Sequence, residues 1–515
     1  MASGARLWPA GDEANLEAST AEQQINAIGM GRFQYMLVAI FGLIVVADGM
    51  EMVVISLLYT ALHRDWGVSK IEEGVLAAVI FLGFLVGNVV GGYLGDQWGR
   101  RNTLLLSGVV FLFAATASAF APDLVTLCIL RTFVGFAVGA KLPVATAILV
   151  EFTPKSARGV YGLLLAGIAF ACGEMFVCLA GIAIHSVDTS KDWWRALLLA
   201  CVIPDIFAFP LAWRFVPESP NWLIVRGRHV EVEDIMREVA VTNTGSTSCL
   251  LSGGRIRKVK EQPGKDEEWT PWLDELGQLF SPKLRQITLF LMIVWACCCF
   301  TYYGLVFVYP IALEQRYAME LENQYFAVFL AAAAEVPGVL LGMLIIDIEG
   351  VGRRRSILAF LLAGAFAALI VPFFNDSTQF VAANMVLKTL VNTPFCILYV
   401  FAAELFPTTH RAAGIAFCSA SSRVAGAVSP LVTAWSVSRS VTLTYQLFAI
   451  AMGLGAVSTM MYEFETSHST LPDDMDEALD LAYKGVHAEA RPIKSASAFG
   501  AFGSSSEVGN EGKRL

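Results

Sequence analysis

Apolar residues recur along this chain in long runs broken by short polar turns, and a run of about 20 is enough for a helix to cross a bilayer. Twelve such runs are predicted, near residues 34–60, 72–95, 102–120, 123–150, 159–185, 193–216, 286–310, 324–346, 356–374, 378–403, 411–435 and 441–463. The expectation is an all-α membrane protein: a cytoplasmic segment 1–33, a six-helix bundle 34–216, a cytoplasmic linker 217–285, a second six-helix bundle 286–463 and a mobile cytoplasmic tail 464–515. The opening segment lacks the basic-then-apolar pattern of a signal peptide, so the first helix is expected to act as the insertion signal.

Composition agrees with this pattern. The chain is 56% apolar and 16% charged, against roughly 25% charged in an ordinary soluble domain. The net charge of −9 is spread over loops and tails and names no charged partner, nucleic acid included. Basic residues set the orientation: "GRRN" at 99–102, "PKSARG" at 154–159, "RIRKVK" in the linker and "GRRRS" at 352–356 fall on one side, which places both termini in the cytoplasm. Nine of ten cysteines lie in predicted helices and Cys249 in the linker, leaving none outside for a disulfide. Neither "CCC" at 297–299 nor the six scattered histidines has metal-ligand spacing, and no set of nucleophile, base and oxyanion donors appears. No cofactor and no enzymatic activity are expected.

The chain repeats itself. "GGYLGDQWGRR" after the second helix carries Asp96, Gly99, Arg100 and Arg101; "IIDIEGVGRRR" after the eighth carries Glu349, Gly352, Arg353 and Arg354, with Asp347 competing for the acidic place. "EFTPKSARG" carries Glu151, Pro154 and Arg158; "ELFPTTHRAAG" carries Glu404, Pro407 and Arg411. Both pairs are offset by 253 residues, which points to two six-helix halves related by a parallel repeat. Acids and arginines at the inner helix ends can pair with each other and with helix dipoles, forming a gate that holds in one state and breaks in the other. Positive-inside anchoring alone explains the arginines but not the fixed acid, Pro and Gly.

These D-x-x-G-R-R and E-x-x-P-x-x-x-R patterns, with "PESPNWL" at 217–223, resemble the major facilitator superfamily in its sugar and organic-ion transporter branch, from about residue 22 to 463. Within that branch "AIGMGRFQYML" at 27–37, "ADGMEM" at 47–52, "LRTFVGFAVGA" at 130–140, "YYGLV" at 302–306 and "EVPGVLLG" at 335–342 look most like the synaptic-vesicle-two-related proteins. "DGME" also resembles the D-G-x-D element of aromatic-acid/proton symporters. Sugar porters carry a glutamine pair on the seventh helix where Met292 and Ile293 stand here, so a hexose would lose its usual partners.

Charged residues inside the apolar runs are the candidate site, because each must face a partner or a water-filled path. Asp48 and Glu51 lie on one face of the first helix, a turn apart. At about 1.5 Å per residue, Glu51 reaches the depth of Arg131 on the fourth helix, and Asp48 that of Gly135, whose missing side chain leaves room. The resemblance implies the same geometry, since sugar porters pair an acid and an arginine there for proton coupling; a structural ion pair is the alternative. Glu174, Glu335, Lys388 and Arg423 lie near mid-depth on helices that line the cavity in this superfamily, with Asn392 one turn from Lys388 and Pro394 beyond it. They form either a substrate site or a self-neutralising network. Tyr302 and Tyr303 resemble an outer gate, with helix packing as the alternative. Asp205 lies on the peripheral sixth helix, where it can polarise a kink between Pro204 and Pro210.

Outside the bundle, an amphipathic helix is expected at 229–240, disorder at 243–254, and a cap or arginine partner in Glu218. "YKGV" at 483–486 fits a tyrosine sorting signal, and the sequon at Asn375 sits too near the membrane for glycosylation. The resulting expectation is a proton-coupled secondary transporter of a small organic ion, a carboxylate-bearing anion first, working as a monomer in the plasma membrane or an intracellular vesicle. An organic-cation or sugar transporter, or a receptor-like vesicle protein that transports nothing, are the alternatives.

Overall fold

The computed structural model describes residues 19–155, 157–158, 161, 164–187, 192–251, 255–256, 277–281, 284–346, 348, 351–406 and 411–461. These residues are helical apart from turns and one isolated bridge between Ser19 and Ile256. Twelve long helices follow in order: α1 (Arg32–Leu57), α2 (Lys70–Trp98), α3 (Arg100–Ser118), α4 (Leu124–Phe152), α5 (Phe170–Val187), α6 (Trp193–Phe215), α7 (Arg285–Tyr317), α8 (Leu321–Ile345), α9 (Gly352–Phe373), α10 (Ser377–Leu405), α11 (Arg411–Val437) and α12 (Val441–Met461). Among the described residues, all but α11 contain a stretch long and apolar enough to span a bilayer by composition alone. α11 has the length but carries Arg423 and five serines among its 27 residues.

The repeat at offset 253 is visible atom by atom. Asp123 caps the start of α4 by accepting from Thr126 N at 2.8 Å, and Asp376 caps α10 by accepting from Gln379 N at 3.0 Å. Gly99 and Gly352, just before and at the start of α3 and α9, take φ of 100° and 66°, backbone angles that a side chain resists. Arg101 donates to the carbonyls of Val216 and Trp213 at the end of α6; Arg354 does the same to Thr459 and Met460 at the end of α12. Free carbonyls at a helix C-terminus attract a guanidinium, so each arginine ties the third helix of its half to the sixth.

Small residues set the helix spacing. The backbone of α4 at Thr132 and Phe136 lies where a side chain on Gly83 or Gly87 of α2 would stand. The halves meet at the end opposite the arginines: Gly74 of α2 lies against Pro430 and Ala434 of α11, and Tyr325 of α8 donates to the Leu57 carbonyl of α1 at 2.9 Å. Three spans are interrupted: a π-helical turn, Leu164–Ala169, leads into α5, α6 breaks at Cys201–Val202, and α8 breaks at Ala334.

At the arginine end, Ala21–Ile28 and His229–Thr244 are both helical. The linker helix thus runs past residue 240, and 243–251 are ordered, contrary to the disorder expected there. Asn243 accepts from Phe33 N at 2.9 Å and donates to Gln34 Oε1 at 2.8 Å, and Leu250 is buried. A polar stretch becomes ordered when its amides satisfy an exposed helix start, here that of α1. Residues 252–254 and 464–515, with "YKGV", lie outside the described residues. All ten cysteines are free thiols.

Candidate functional site

Two groups of buried charge occupy the middle of the bundle. In the first half, Glu51 of α1 pairs with Arg131 of α4, both fully buried. Asp48 does not find its space beside Gly135, because Gly135 lies against the Ile80 carbonyl of α2. It faces Lys141 of α4 instead. Lys141 Nζ stands 3.1 Å from Asp48 Oδ1 and donates to Asp205 Oδ2 at 2.6 Å, with the Phe111 ring centroid 3.8 Å away. Asp205 therefore faces inward as a counter-ion rather than polarising a proline kink. Three carboxylates share two cations here, a formal excess of one negative charge. Asp48 is the least supported of the three, since neither of its oxygens accepts a well-formed hydrogen bond.

Lys141 was not anticipated. Its signal was a lysine within an apolar span, which requires a buried counter-charge; the helical register that turns it toward α1 and α6 is not readable one helix at a time.

The second group joins the halves. Glu174 of α5 pairs with Lys388 of α10, and Lys388 Nζ also lies 2.9 Å from Glu335 Oε1 of α8. Asn392, one turn beyond Lys388, donates to Glu335 Oε2 at 3.0 Å. The Tyr302 hydroxyl of α7 lies 2.9 Å from Glu174 Oε1 and 2.9 Å from Glu335 Oε1. All five side chains are buried. Glu335 opens the second segment of α8, where free amides favour negative charge.

Arg423 of α11 stands apart. It is 6% exposed and makes no ion pair among the described residues. Its Nη1 reaches Tyr303 Oη at 3.4 Å, its Nε has no partner, and its guanidinium lies 4.0 Å from the Phe84 ring centroid of α2. Tyr303 packs edge-on against Phe81 of α2 at 4.4 Å. The two tyrosines thus serve different groups, Tyr302 the inter-half acids and Tyr303 the lone guanidinium.

The model of the family described as "Sugar (and other) transporter" matches residues 41–476. The chain belongs to this family. It is 28% identical over 498 residues to a synaptic vesicle 2-related protein of Xenopus laevis, covering 92% of this chain and 87% of that one. It is 28% identical over 495 residues to organic cation/carnitine transporter 7 of Arabidopsis thaliana, covering 88% and 96%. Among solved structures, the partially occluded inward open conformation of the xylose transporter XylE from E. coli superposes with a TM-score of 0.68 at 18% identity, over 85% of this chain and 100% of that one. The protein is thus a multi-pass membrane protein with the major facilitator fold.

In this sugar-transporter-family member, the repeated loop motifs pair within each half. Arg100 binds Glu151, and Arg353 binds Glu404 at 3.1 Å. Glu151 also accepts from Ser219, and Glu218 accepts the backbone N–H of Arg101 at 3.0 Å, capping α3. Arg158 reaches Glu22 of the N-terminal helix at 2.8 Å. Asp96 engages through its backbone carbonyl, which accepts from Trp222 Nε1 at 2.8 Å; its carboxylate makes no ion pair among the described residues. Glu349, Asp347 and Pro407 lie outside the described residues, as does the side chain of Arg411.

Proposed function

We propose that this transporter moves a small organic anion bearing a carboxylate, coupled to protons, by alternating access of a cavity between its halves. The observation that carries the reading is Arg423, a buried guanidinium with no carboxylate beside it among the described residues. A buried cation is strongly disfavoured unless it meets an anion, and a guanidinium matches a carboxylate with two parallel hydrogen bonds. Phe81, Phe84 and Tyr303 give that anion an apolar and aromatic surround. The acids available to an organic cation, Glu174 and Glu335, already hold Lys388 between them, which disfavours the cation reading in spite of one relative's name.

Coupling is assigned to Asp48, with Glu51–Arg131 and Lys141–Asp205 as its frame. A proton on Asp48 removes the excess negative charge and leaves Lys141 to Asp205. The arginine end is assigned to the cytoplasm with both termini, the protein acts as a monomer in the plasma membrane or a vesicle membrane, and the residues of the repeated loops serve as the inner gate.

Uptake by proteoliposomes of labelled aliphatic and aromatic monocarboxylates, beside quaternary ammonium compounds and hexoses, tests the reading. Carboxylates should accumulate under an inward proton gradient, and Arg423→Gln should raise their KM roughly 10- to 100-fold, the equivalent of one or two charge-assisted hydrogen bonds. Accumulation of the ammonium compounds alone would overturn the anion assignment, and no uptake of any class would favour a receptor-like protein.

A second expectation concerns the loops. Arg100→Ala or Arg353→Ala removes a tie between α3 and α4, or α9 and α10, at the arginine end. Turnover should fall several-fold with expression largely kept, and cysteine labelling from that end should rise. Unchanged labelling and turnover in both variants would leave the loops as topology signals.

A further inference from the structure

The geometry points to a proton-carrying latch between the halves, in which Glu335 holds a proton and Tyr302 relays it to Glu174. The inference rests on the alternating-access reading above but not on the identity of the substrate. A tyrosine hydroxyl has one proton to donate, yet Tyr302 Oη stands 2.9 Å from an oxygen of each of two acids. If both acids were ionised, that single proton would be split between two anions, and the group would keep two negative charges against one lysine among buried side chains. One further proton resolves both conflicts.

The remaining contacts place it. Both oxygens of Glu174 accept, Oε1 from Tyr302 and Oε2 from Lys388, which marks Glu174 as the ionised partner. Asn392 donates to Glu335 Oε2, leaving Oε1 to carry the proton and to donate it toward Tyr302. The chain then reads Glu335 O–H to Tyr302 Oη, Tyr302 O–H to Glu174 Oε1, and Glu174 to Lys388. The titratable groups facing it from the packed helices are Lys388 on α10, Tyr302 and Tyr303 on α7, and the thiols Cys178 on α5 and Cys396 on α10. Among these, Lys388 is the cation.

This arrangement solves the problem of separating the halves. Glu174 belongs to the first half; Tyr302, Glu335 and Lys388 belong to the second. Parting them as they stand would strand an anion on one side and a cation on the other. If Glu335 passes its proton to Tyr302 while Tyr302 passes its own to Glu174, one O–H bond is broken and one formed at each step and no charge is lost. Glu174 leaves neutral, and Glu335 becomes the counter-ion of Lys388, 2.9 Å away. Each half's share of this group is then neutral, and Glu174 can release its proton to the cavity that opens.

Infrared difference spectroscopy of the full chain in proteoliposomes at neutral pH tests this without a substrate, in the carboxylic-acid C=O region. Wild type should show a protonated-acid band that Glu335→Gln removes completely. Tyr302→Phe should shift that band to higher frequency, because the acid loses its hydrogen-bond acceptor, while Asp48→Asn should leave it in place. Carboxylic-acid absorption unchanged in Glu335→Gln, or a band at its wild-type frequency in Tyr302→Phe, would overturn the proposal. Thermal melting checks the fold, and if Glu335→Gln does not assemble, the shift in Tyr302→Phe decides alone. Loss of coupled uptake in Asp48→Asn with the Glu335 band intact shows that the two proton sites stand or fall separately.

Discussion

Asp48→Asn should abolish uphill uptake of the transported substrate while leaving much of its exchange across the membrane. Asparagine keeps the size and hydrogen-bonding capacity of the side chain but cannot bind and release a proton. Counterflow of labelled for unlabelled substrate needs no proton turnover, so it should survive, and the pH dependence of uptake should flatten. Glu51→Gln should weaken coupling less, because Glu51 is engaged by Arg131 whereas neither Asp48 oxygen has a well-formed hydrogen bond. The measurement is pH-jump-driven uptake beside counterflow in the same proteoliposomes. Wild-type accumulation in both variants would leave the two acids as structural counter-ions for Arg131 and Lys141.

Lys141→Met should be the most destabilising single change in the first half. It removes the only cation within 4.0 Å of Asp48 and Asp205 among the described residues and leaves two buried carboxylates facing each other across α1 and α6. Breaking a buried pair by deleting one partner costs about 3–5 kcal/mol, more than the pair itself contributes. Thermal unfolding in detergent should show a large fall in Tm. The triple variant Asp48→Asn/Lys141→Met/Asp205→Asn should recover most of it, because no unpaired charge remains. A Lys141→Met variant as stable as wild type would mean that water, not lysine, satisfies the two acids.

Much of this protein is legible in its sequence. Eleven of the twelve long helices follow from hydropathy, because lipid admits no unpaired backbone and a helix satisfies its own. The two-half architecture follows from motifs at one offset, and the structure gives the repeated residues matching jobs, Arg101 with Arg354 and Asp123 with Asp376. The Glu51–Arg131 pair was also within reach, since both depths can be counted from helix ends.

What depended on tertiary structure is which buried charge meets which. The offset that maps Arg101 onto Arg354 also maps Asp48, Glu51, Arg131, Lys141 and Asp205 onto Thr301, Gly304, Asn384, Pro394 and Ser458, so the repeat carries the scaffold and not the chemistry. Depth counting cannot supply the rotation of each helix about its axis, and that rotation turns Gly135 to α2, brings Lys141 between Asp48 and Asp205, and sets Tyr302 between Glu174 and Glu335. Among the described residues it also leaves Arg423 without an acid while Lys388 has two. Sequence placed these charges in the membrane; only the packing of three or four helices at once decided which of them meet an opposite charge.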